Sequence, residues 1–258
     1  MKKQLTFAVL AAATASIAAT TASAAVLYEA NFEAPTFTSG ASVFGQDGWG
    51  ATDNTWDIIT VDGNQVVSYE QGDTINNTPQ ANGRIDRGIT AQTGDLYFAV
   101  DVTFDNFNFV WFNLSDDEDD NNSIGFTSTS GSGGGIRARA RDSGNTNGPD
   151  VSLDLGTTYT VVIKASKSDP LGNYDTAELF LDPGATEPVI ADSIAVSDIG
   201  ISEIDFFRIR RGGGVGTDDP DVTFDKFRIA TTYAEVIPEP ASATALSVLG
   251  LLALRRRR

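Results

Sequence analysis

The stretch FNFVWFNLS, residues 107–115, alternates its side chains in the manner of a β-strand that is apolar on both faces. Successive side chains of a strand point to opposite faces. One face carries Phe107, Phe109 and Trp111, and the other carries Val110, Phe112 and Leu114. A strand of this kind lies in the middle of a sheet. One face packs into a core, and the other lines a groove or is covered by a loop.

The same period of two recurs along most of the chain. Examples are TYTVVIKAS (158–166), YDTAELFLD (174–182), EIDFFRIR (203–210) and VTFDKFRIA (222–230). Turns rich in Gly, Asp, Asn and Pro separate these stretches, and no window before residue 241 shows helical periodicity. We therefore predict an all-β domain over residues 25–233, a two-sheet antiparallel jelly-roll sandwich of roughly a dozen strands.

The composition excludes several kinds of chemistry. The chain has 35 acidic and 18 basic residues, a net charge of −17, no cysteine and no histidine. The acidic excess disfavours nucleic acid and an anionic membrane surface as partners. Without histidine and cysteine, Ser-His-Asp catalysis, Cys-His catalysis and histidine-ligated zinc are excluded.

The first 24 residues have the pattern of a secretory signal peptide. Lys2 and Lys3 precede an uncharged run, and Ala22-Ser23-Ala24 ends it with the small residues that suit cleavage. We expect the protein to be exported.

Residues 234–258 have the pattern of a short membrane anchor. The triplet Pro238, Glu239 and Pro240 is followed by the apolar run 241–254 and by Arg255, Arg256, Arg257 and Arg258. As a helix, the run would reach about 21 Å, against about 30 Å for a bilayer core. The arginines would remain cytoplasmic, and the prolines keep the triplet extended.

This tail resembles the PEP-CTERM sorting signal, whose pattern is Pro-Glu-Pro, a short transmembrane helix and an arginine-rich end. The resemblance implies recognition by an exosortase, a membrane-embedded processing enzyme of Gram-negative bacteria that make exopolysaccharide. It also implies transient anchoring in the inner membrane and a final place on the outer cell surface or in the extracellular matrix.

The ends of the predicted domain resemble those of laminin-G-like, concanavalin A-like jelly rolls. YEANFEAP (28–35) and GQDGW (45–49) open the domain, and VTFDKFRIA (222–230) closes it. The resemblance implies that the first and last strands lie side by side, with the strand of Phe32 against that of Phe227.

Two short stretches concentrate arginine. GGGIRARARD (133–142) places Arg137, Arg139 and Arg141 on one strand face, and a later strand carries Arg208 and Arg210. Such a face could bind acidic saccharides through bidentate contacts. The alternative is pairing with nearby aspartate and glutamate, which the acidic composition favours. Trp49, in a turn-rich segment, is predicted to expose a ring for sugar stacking, whereas Trp111 is predicted to lie in the core.

The segment from Glu203 to Arg208 resembles the catalytic strand of retaining β-glucanases, which reads Glu-x-Asp-x-(x)-Glu. The resemblance implies Glu203 as nucleophile and Asp205 as its neighbour. Strand alternation predicts that Glu203, Asp205 and Phe207 share one face. Phe207 or Arg208 occupies the position of the second glutamate, however, and a retaining enzyme needs two carboxyl groups about 5–5.5 Å apart. An ordinary strand is the favoured interpretation.

Acidic runs suggest calcium, because this cation prefers several oxygen ligands. The candidates are Asp117 and Asp119 in one loop, and Asp221 and Asp225 near the last strand. The first loop lacks the glycine and the final glutamate of an EF-hand, so a solvated loop is the favoured interpretation.

Together these patterns predict a non-enzymatic surface or matrix protein that binds or organises extracellular polysaccharide. Two alternatives stay open. One is a polysaccharide hydrolase that uses Glu203, and the other is a protein–protein adhesin.

Overall fold

The computed structural model describes residues 25–51, 56–69, 74–75, 78–79, 83–107, 109–116, 122–129, 134–211 and 222–237. The predicted signal peptide, the Pro238-Glu239-Pro240 triplet, the terminal arginines and Asp117, Asp119 and Asp221 lie outside these ranges. Within the ranges, no helix combines the length and apolarity that a membrane crossing requires.

The described ranges contain eighteen strands and one helical turn. They are β1 Val26–Ala30, β2 Gly50–Ala51, β3 Asp57–Val61, β4 Asn64–Tyr69, β5 Thr74–Ile75, β6 Thr78–Pro79, β7 Arg84–Gln92, β8 Leu96–Phe104, β9 Val110–Ser115, β10 Asn122–Thr129, β11 Gly135–Asp142, β12 Gly144–Asn147, β13 Val151–Ser152, β14 Thr158–Ser166, β15 Thr176–Leu181, β16 Ser193–Val196, β17 Ile204–Arg211, β18 Val222–Ala230 and α1 Tyr233–Val236. The sequence predicts fewer strands because two-residue strands such as β2 and β13 show no alternation.

Two antiparallel sheets form a sandwich, which confirms the predicted all-β fold class. Sheet A has the order β16-β15-β14-β8-β18-β4-β3, and β1 also pairs with β18. Sheet B has the order β12-β11-β10-β9-β17-β7-β2, and β13 also pairs with β11. β9, the strand that is apolar on both faces, lies in the middle of sheet B, as predicted.

The core between the sheets is rich in aromatic rings. Phe112 of β9 stacks on Phe126 of β10 with ring centroids 4.6 Å apart, and Phe207 of β17 approaches Phe227 of β18 to 4.2 Å. The first contact links neighbouring strands of sheet B, and the second joins the inner faces of the two sheets.

The first and last strands lie side by side, as the sequence predicts. β1 runs antiparallel to β18, with Ala30 opposite Phe227. Phe32 follows the end of β1, and its ring lies 5.5 Å from that of Phe224. The core is therefore closed by a pairing between the two ends of the domain.

Trp49 corrects a prediction, because its ring is 1% exposed rather than available for sugar stacking. A tight turn, in which the N–H of Gly45 donates to the carbonyl of Trp49 over 2.8 Å, folds the ring inward. The indole Nε1 donates to the hydroxyl of Tyr28 over 2.8 Å. Trp49 is thus a core residue with its polar atom satisfied.

Candidate functional site

The outer face of sheet B gathers the arginines of three strands. We call this surface the arginine face; it consists of Arg84 and Asp86 of β7, Trp111 and Asn113 of β9, Arg137, Arg139 and Arg141 of β11, and Arg208 and Arg210 of β17. The alternate residues of the same strands, such as Ile136 and Ile209, are fully buried in the core. The predicted alternation of β11 is therefore confirmed.

Strand register aligns these side chains in rows across the sheet. In one row Arg139, Gly125, Asn113 and Arg208 are successive partners. Three spacings of about 4.8 Å separate β11 from β17, so the backbones that carry the two arginine groups stand about 14 Å apart. The two strands between them, β9 and β10, carry small or amide side chains at most of these positions and no acidic residue.

Trp111 lies on the arginine face, so its predicted place in the core is wrong. The guanidinium carbon of Arg139 is 4.2 Å from the centroid of its ring, and that of Arg210 is 5.3 Å away. Cation–π attraction of this kind holds the two guanidinium groups over a half-buried indole. The core positions of β9 are taken by Val110 and Phe112, which alternate with Trp111.

Some arginines of this face have carboxylate partners, as the alternative interpretation of the sequence predicts. Asp86 lies 3.4 Å from Nε of Arg84 and 3.6 Å from Nη2 of Arg208. Arg137 donates from Nη1 to Asp150 over 3.2 Å. Pairing with neighbouring acids therefore accounts for part of the cationic face.

Arg139 is different, because its partners among the described residues are an amide and an aromatic ring. It is 2% exposed and donates from Nη2 to Oδ1 of Asn145 over 2.9 Å. Its Nε and Nη1 have no hydrogen-bond partner among the described residues. Burial lowers the pKa of Arg139 to about 10, with added repulsion from Arg141 and Arg137. Arg139 is thus a buried cation for which the described residues provide no carboxylate partner.

Asn113 is a functional candidate that sequence reasoning missed. It is 2% exposed, and neither Nδ2 nor Oδ1 has a hydrogen-bond partner in the described part of the chain. A buried amide without partners costs about 1–3 kcal/mol. The available signal was an amide that follows Phe107, Phe109 and Trp111 on one face of the predicted strand.

The structure places Glu203 outside the arginine face. Glu203 is exposed and precedes β17, whose first residue, Ile204, is fully buried. The register with β7 shifts between Ile204 and Phe206, as in a β-bulge. Phe207 is therefore in the core, and the predicted common face of Glu203, Asp205 and Phe207 is not formed. The catalytic role of Glu203 and Asp205 stays a prediction.

Of the four calcium candidates, only Asp225 lies within the described residues, so the calcium site stays a prediction. Asp225 lies opposite Asp101 across β18 and β8, and Nζ of Lys226 is 2.8 Å from Asp101. Among the described residues, no group of three or more His, Cys, Asp or Glu could hold a metal ion.

The Asp225→Asn variant is expected to be more stable than the wild type at neutral pH. Burial raises the pKa of Asp225, and the charge of Asp101 contributes, so the fold binds this proton more tightly than the unfolded chain does. The protonated carboxyl of Asp225 therefore favours the folded state. This contribution is fully present below the pKa of about 3.9 that the group has in the unfolded chain, and it is lost as pH rises through the pKa that the group has in the fold. Chemical unfolding should show a gain of about 0.2–1 kcal/mol at pH 7 and none near pH 3. Asp105→Asn, at an exposed carboxylate, is the control, and equal effects of the two variants would contradict the prediction.

The fold and this surface define a jelly-roll-like antiparallel sandwich with a cationic site on the outer face of one sheet. Solved structures with the same fold include the alginate lyase Aly36B, at 13% identity over 81% of this chain and 98% of that chain, with a TM-score of 0.54. A β-1,3-glucanase from Mycobacterium marinum matches at 15% identity over 80% and 99%, with a TM-score of 0.51. The globular domain of calreticulin from T. cruzi matches at 10% identity over 82% and 90%, with a TM-score of 0.50. No protein-family model matches the chain, and no curated protein is similar to it.

These similarities correct the prediction of a non-enzymatic protein. Two of the three structures are named as polysaccharide-degrading enzymes, and they have the same fold as this chain. The missing histidine and cysteine exclude particular catalytic groups, but they do not exclude the reactions that this fold can carry.

Proposed function

We propose that this chain is an exported protein that acts on an acidic polysaccharide, which it binds along the arginine face. The observation that supports this most directly is Arg139, a buried cation flanked by Arg137 and Arg141 and without a carboxylate partner among the described residues. A buried charge is stable only when it is paired or hydrogen-bonded. An anionic polymer would supply the missing partner at this cationic face, although the net charge of the whole chain is −17.

The reaction that this surface favours is β-elimination. Hydrolysis by paired carboxyl groups needs two of them across the scissile bond, and β9 and β10, between the arginine groups, contain no acidic residue. A guanidinium that neutralises the carboxylate of a uronate makes the adjacent C–H more acidic and stabilises the charge that develops. Water takes that proton, the electrons of the C–H bond form the C=C bond, and the glycosidic oxygen leaves with the C–O bonding pair and is protonated by water, which gives an unsaturated sugar end.

The test compares polygalacturonate with a neutral β-glucan by titration calorimetry at several salt concentrations. The wild type should bind only the acidic polymer, with an affinity that falls steeply with salt. Charge-assisted hydrogen bonds contribute about 1.5–3 kcal/mol each, so Arg137→Ser with Arg141→Ser should weaken binding by about tenfold or more. Lys167→Ser with Lys226→Ser removes the same charge elsewhere and should change the affinity by less than about threefold. Binding that survives the arginine substitutions would overturn the proposal.

The reaction is assayed in parallel by two product signals. β-Elimination raises the ultraviolet absorbance of unsaturated sugar ends, whereas hydrolysis releases reducing ends without it. Hydrolysis that disappears in Glu203→Gln would support the hydrolase alternative instead of β-elimination. Absence of polysaccharide binding would leave the adhesin alternative.

Export and sorting by an exosortase belong to the same proposal. They rest on the sequence patterns of residues 1–24 and 234–258. Recovery of the intact chain, with both end segments, from the cytoplasm would contradict this part.

A further inference from the structure

We infer that Asn113 and Arg139 form a carboxylate site that selects polysaccharides bearing uronic acid. The inference rests on the proposed function and deepens it, because it names the substrate class and the side chains that recognise it. We call the pair, with Gly125 between them, the carboxylate site.

Strand register places the three residues in one row. Gly125 of β10 is the partner of Arg139 on one side and of Asn113 on the other. A Cβ on Gly125 would lie 1.9 Å from the carbonyl oxygen of Phe112, so this position requires glycine. Glycine therefore places no side chain between Arg139 and Asn113 in this row.

Both polar side chains are buried and have unused hydrogen-bonding atoms. Each is 2% exposed, and Nε and Nη1 of Arg139 and both amide atoms of Asn113 lack partners within the described ranges. Unsatisfied buried polar groups are rare in folded proteins, because each costs about 1–3 kcal/mol. An anion at this position would recover that cost.

The chemistry of the pair matches a sugar acid. Arg139 can only donate, whereas the Asn113 amide can donate from Nδ2 and accept at Oδ1. A uronate presents a carboxylate that accepts and ring hydroxyls that donate, so it can satisfy all of these atoms together. A planar carboxylate also suits a nearly closed site better than the bulkier tetrahedral sulfate.

Trp111 acts as a positioning residue for this site. Its ring is the next outward position on β9 from Asn113, and the guanidinium of Arg139 stacks on it at 4.2 Å. The same guanidinium donates to Asn145 of β12 over 2.9 Å. The ring contact and this hydrogen bond together fix the orientation of the guanidinium.

The test uses the full chain and four polymers: polygalacturonate, its methyl-esterified form, a neutral β-glucan and dextran sulfate. The wild type should bind polygalacturonate at least tenfold more tightly than the ester, which keeps the hydroxyls but has no charge. It should also prefer polygalacturonate to dextran sulfate. Asn113→Leu and Arg139→Gln should each reduce affinity for polygalacturonate by at least tenfold.

Thermal unfolding separates recognition from stability. Replacing an unsatisfied amide with an apolar group of similar size is nearly neutral or stabilising, so Asn113→Leu should unfold at the wild-type temperature or above. Thr103→Val, a comparable change on sheet A, is the control and should leave binding unchanged. Arg139→Lys, which keeps the charge but not the planar group, should recover only part of the affinity.

The outcomes distinguish this inference from the proposed function. If Asn113→Leu and Arg139→Gln bind polygalacturonate as the wild type does, while the Arg137 and Arg141 substitutions weaken binding, the carboxylate site is wrong and the proposed function stands. Equal affinity for dextran sulfate would also overturn the assignment to uronic acid. If the wild type binds none of the charged polymers, the proposed function itself fails.

Discussion

Trp49→Ala is expected to lower the free energy of unfolding by about 3–5 kcal/mol, the usual cost of truncating a large buried aromatic side chain. The Trp49 ring lies 6.0 Å from both Tyr28 and Phe227 and 6.3 Å from Phe207. It therefore contacts β1, β17 and β18, which belong to both sheets. Its removal leaves a cavity at the place where the first and last strands meet.

A hydrogen-bond chain adds to the cost. Nε1 of Trp49 donates to the hydroxyl of Tyr28, which in turn donates to Asp47 over 2.8 Å. Burial and the hydrogen bond to Asp47 raise the pKa of Tyr28, so this hydroxyl stays protonated and able to donate at neutral pH. Trp49→Phe keeps most of the volume but loses the donor, and its loss of stability should be smaller than that of Trp49→Ala.

Denaturant unfolding followed by circular dichroism measures these differences. Phe44→Ala is a matched control in the same turn, because Phe44 is 52% exposed. Its effect should stay within about 0.5 kcal/mol. If Trp49→Ala were as mild as Phe44→Ala and instead weakened polysaccharide binding, the ring would be an exposed sugar platform and its place in the core would be wrong.

Gly125→Ala is the second change with a large expected effect, a loss of about 1–3 kcal/mol. The added Cβ would meet the backbone of Phe112 at 1.9 Å, and backbone in the middle of a sheet cannot move aside cheaply. The substitution should separate β9 from β10 locally, so polygalacturonate binding should fall together with stability.

Gly88→Ala provides the comparison for this prediction. Gly88 is in β7 of the same sheet, and a Cβ built there meets no atom within 4 Å. The variant should therefore unfold within about 0.5 kcal/mol of the wild type. Similar losses in the two variants would show that Gly125 is not held by close strand contact.

Several features of the site could be predicted from the sequence because they depend on alternation within one strand. RARAR fixes Arg137, Arg139 and Arg141 on one face, whatever the partner strands are. The same rule places Val110 and Phe112 of FNFVWFNLS on the face opposite Trp111, but it does not say which of the two faces enters the core. The rule failed at Glu203, where a bulge adds a residue that no local pattern marks.

The two tryptophans show why the direction of a side chain needs the tertiary structure. Trp49 follows a glycine in a turn-rich segment, and such segments usually expose their side chains, but this turn folds back beneath the sheet. Trp111 is a large apolar residue of the kind that protein cores contain. Its neighbours on the strand occupy the core instead, and cationic side chains from other strands cover it. Burial depends on what packs against a position, which the strand itself does not specify.

The sequence by itself determined that the chain is a set of β-strands, which residues share a face within each strand, and that histidine and cysteine chemistry is absent. Only the tertiary structure decided that β11 and β17 lie three strands apart in one sheet, with β9 and β10 between them. That order joins Arg139, Gly125 and Asn113 in one row. The physical reason is that periodicity is local, whereas strand pairing depends on contacts between distant residues whose combined packing selects one sheet order.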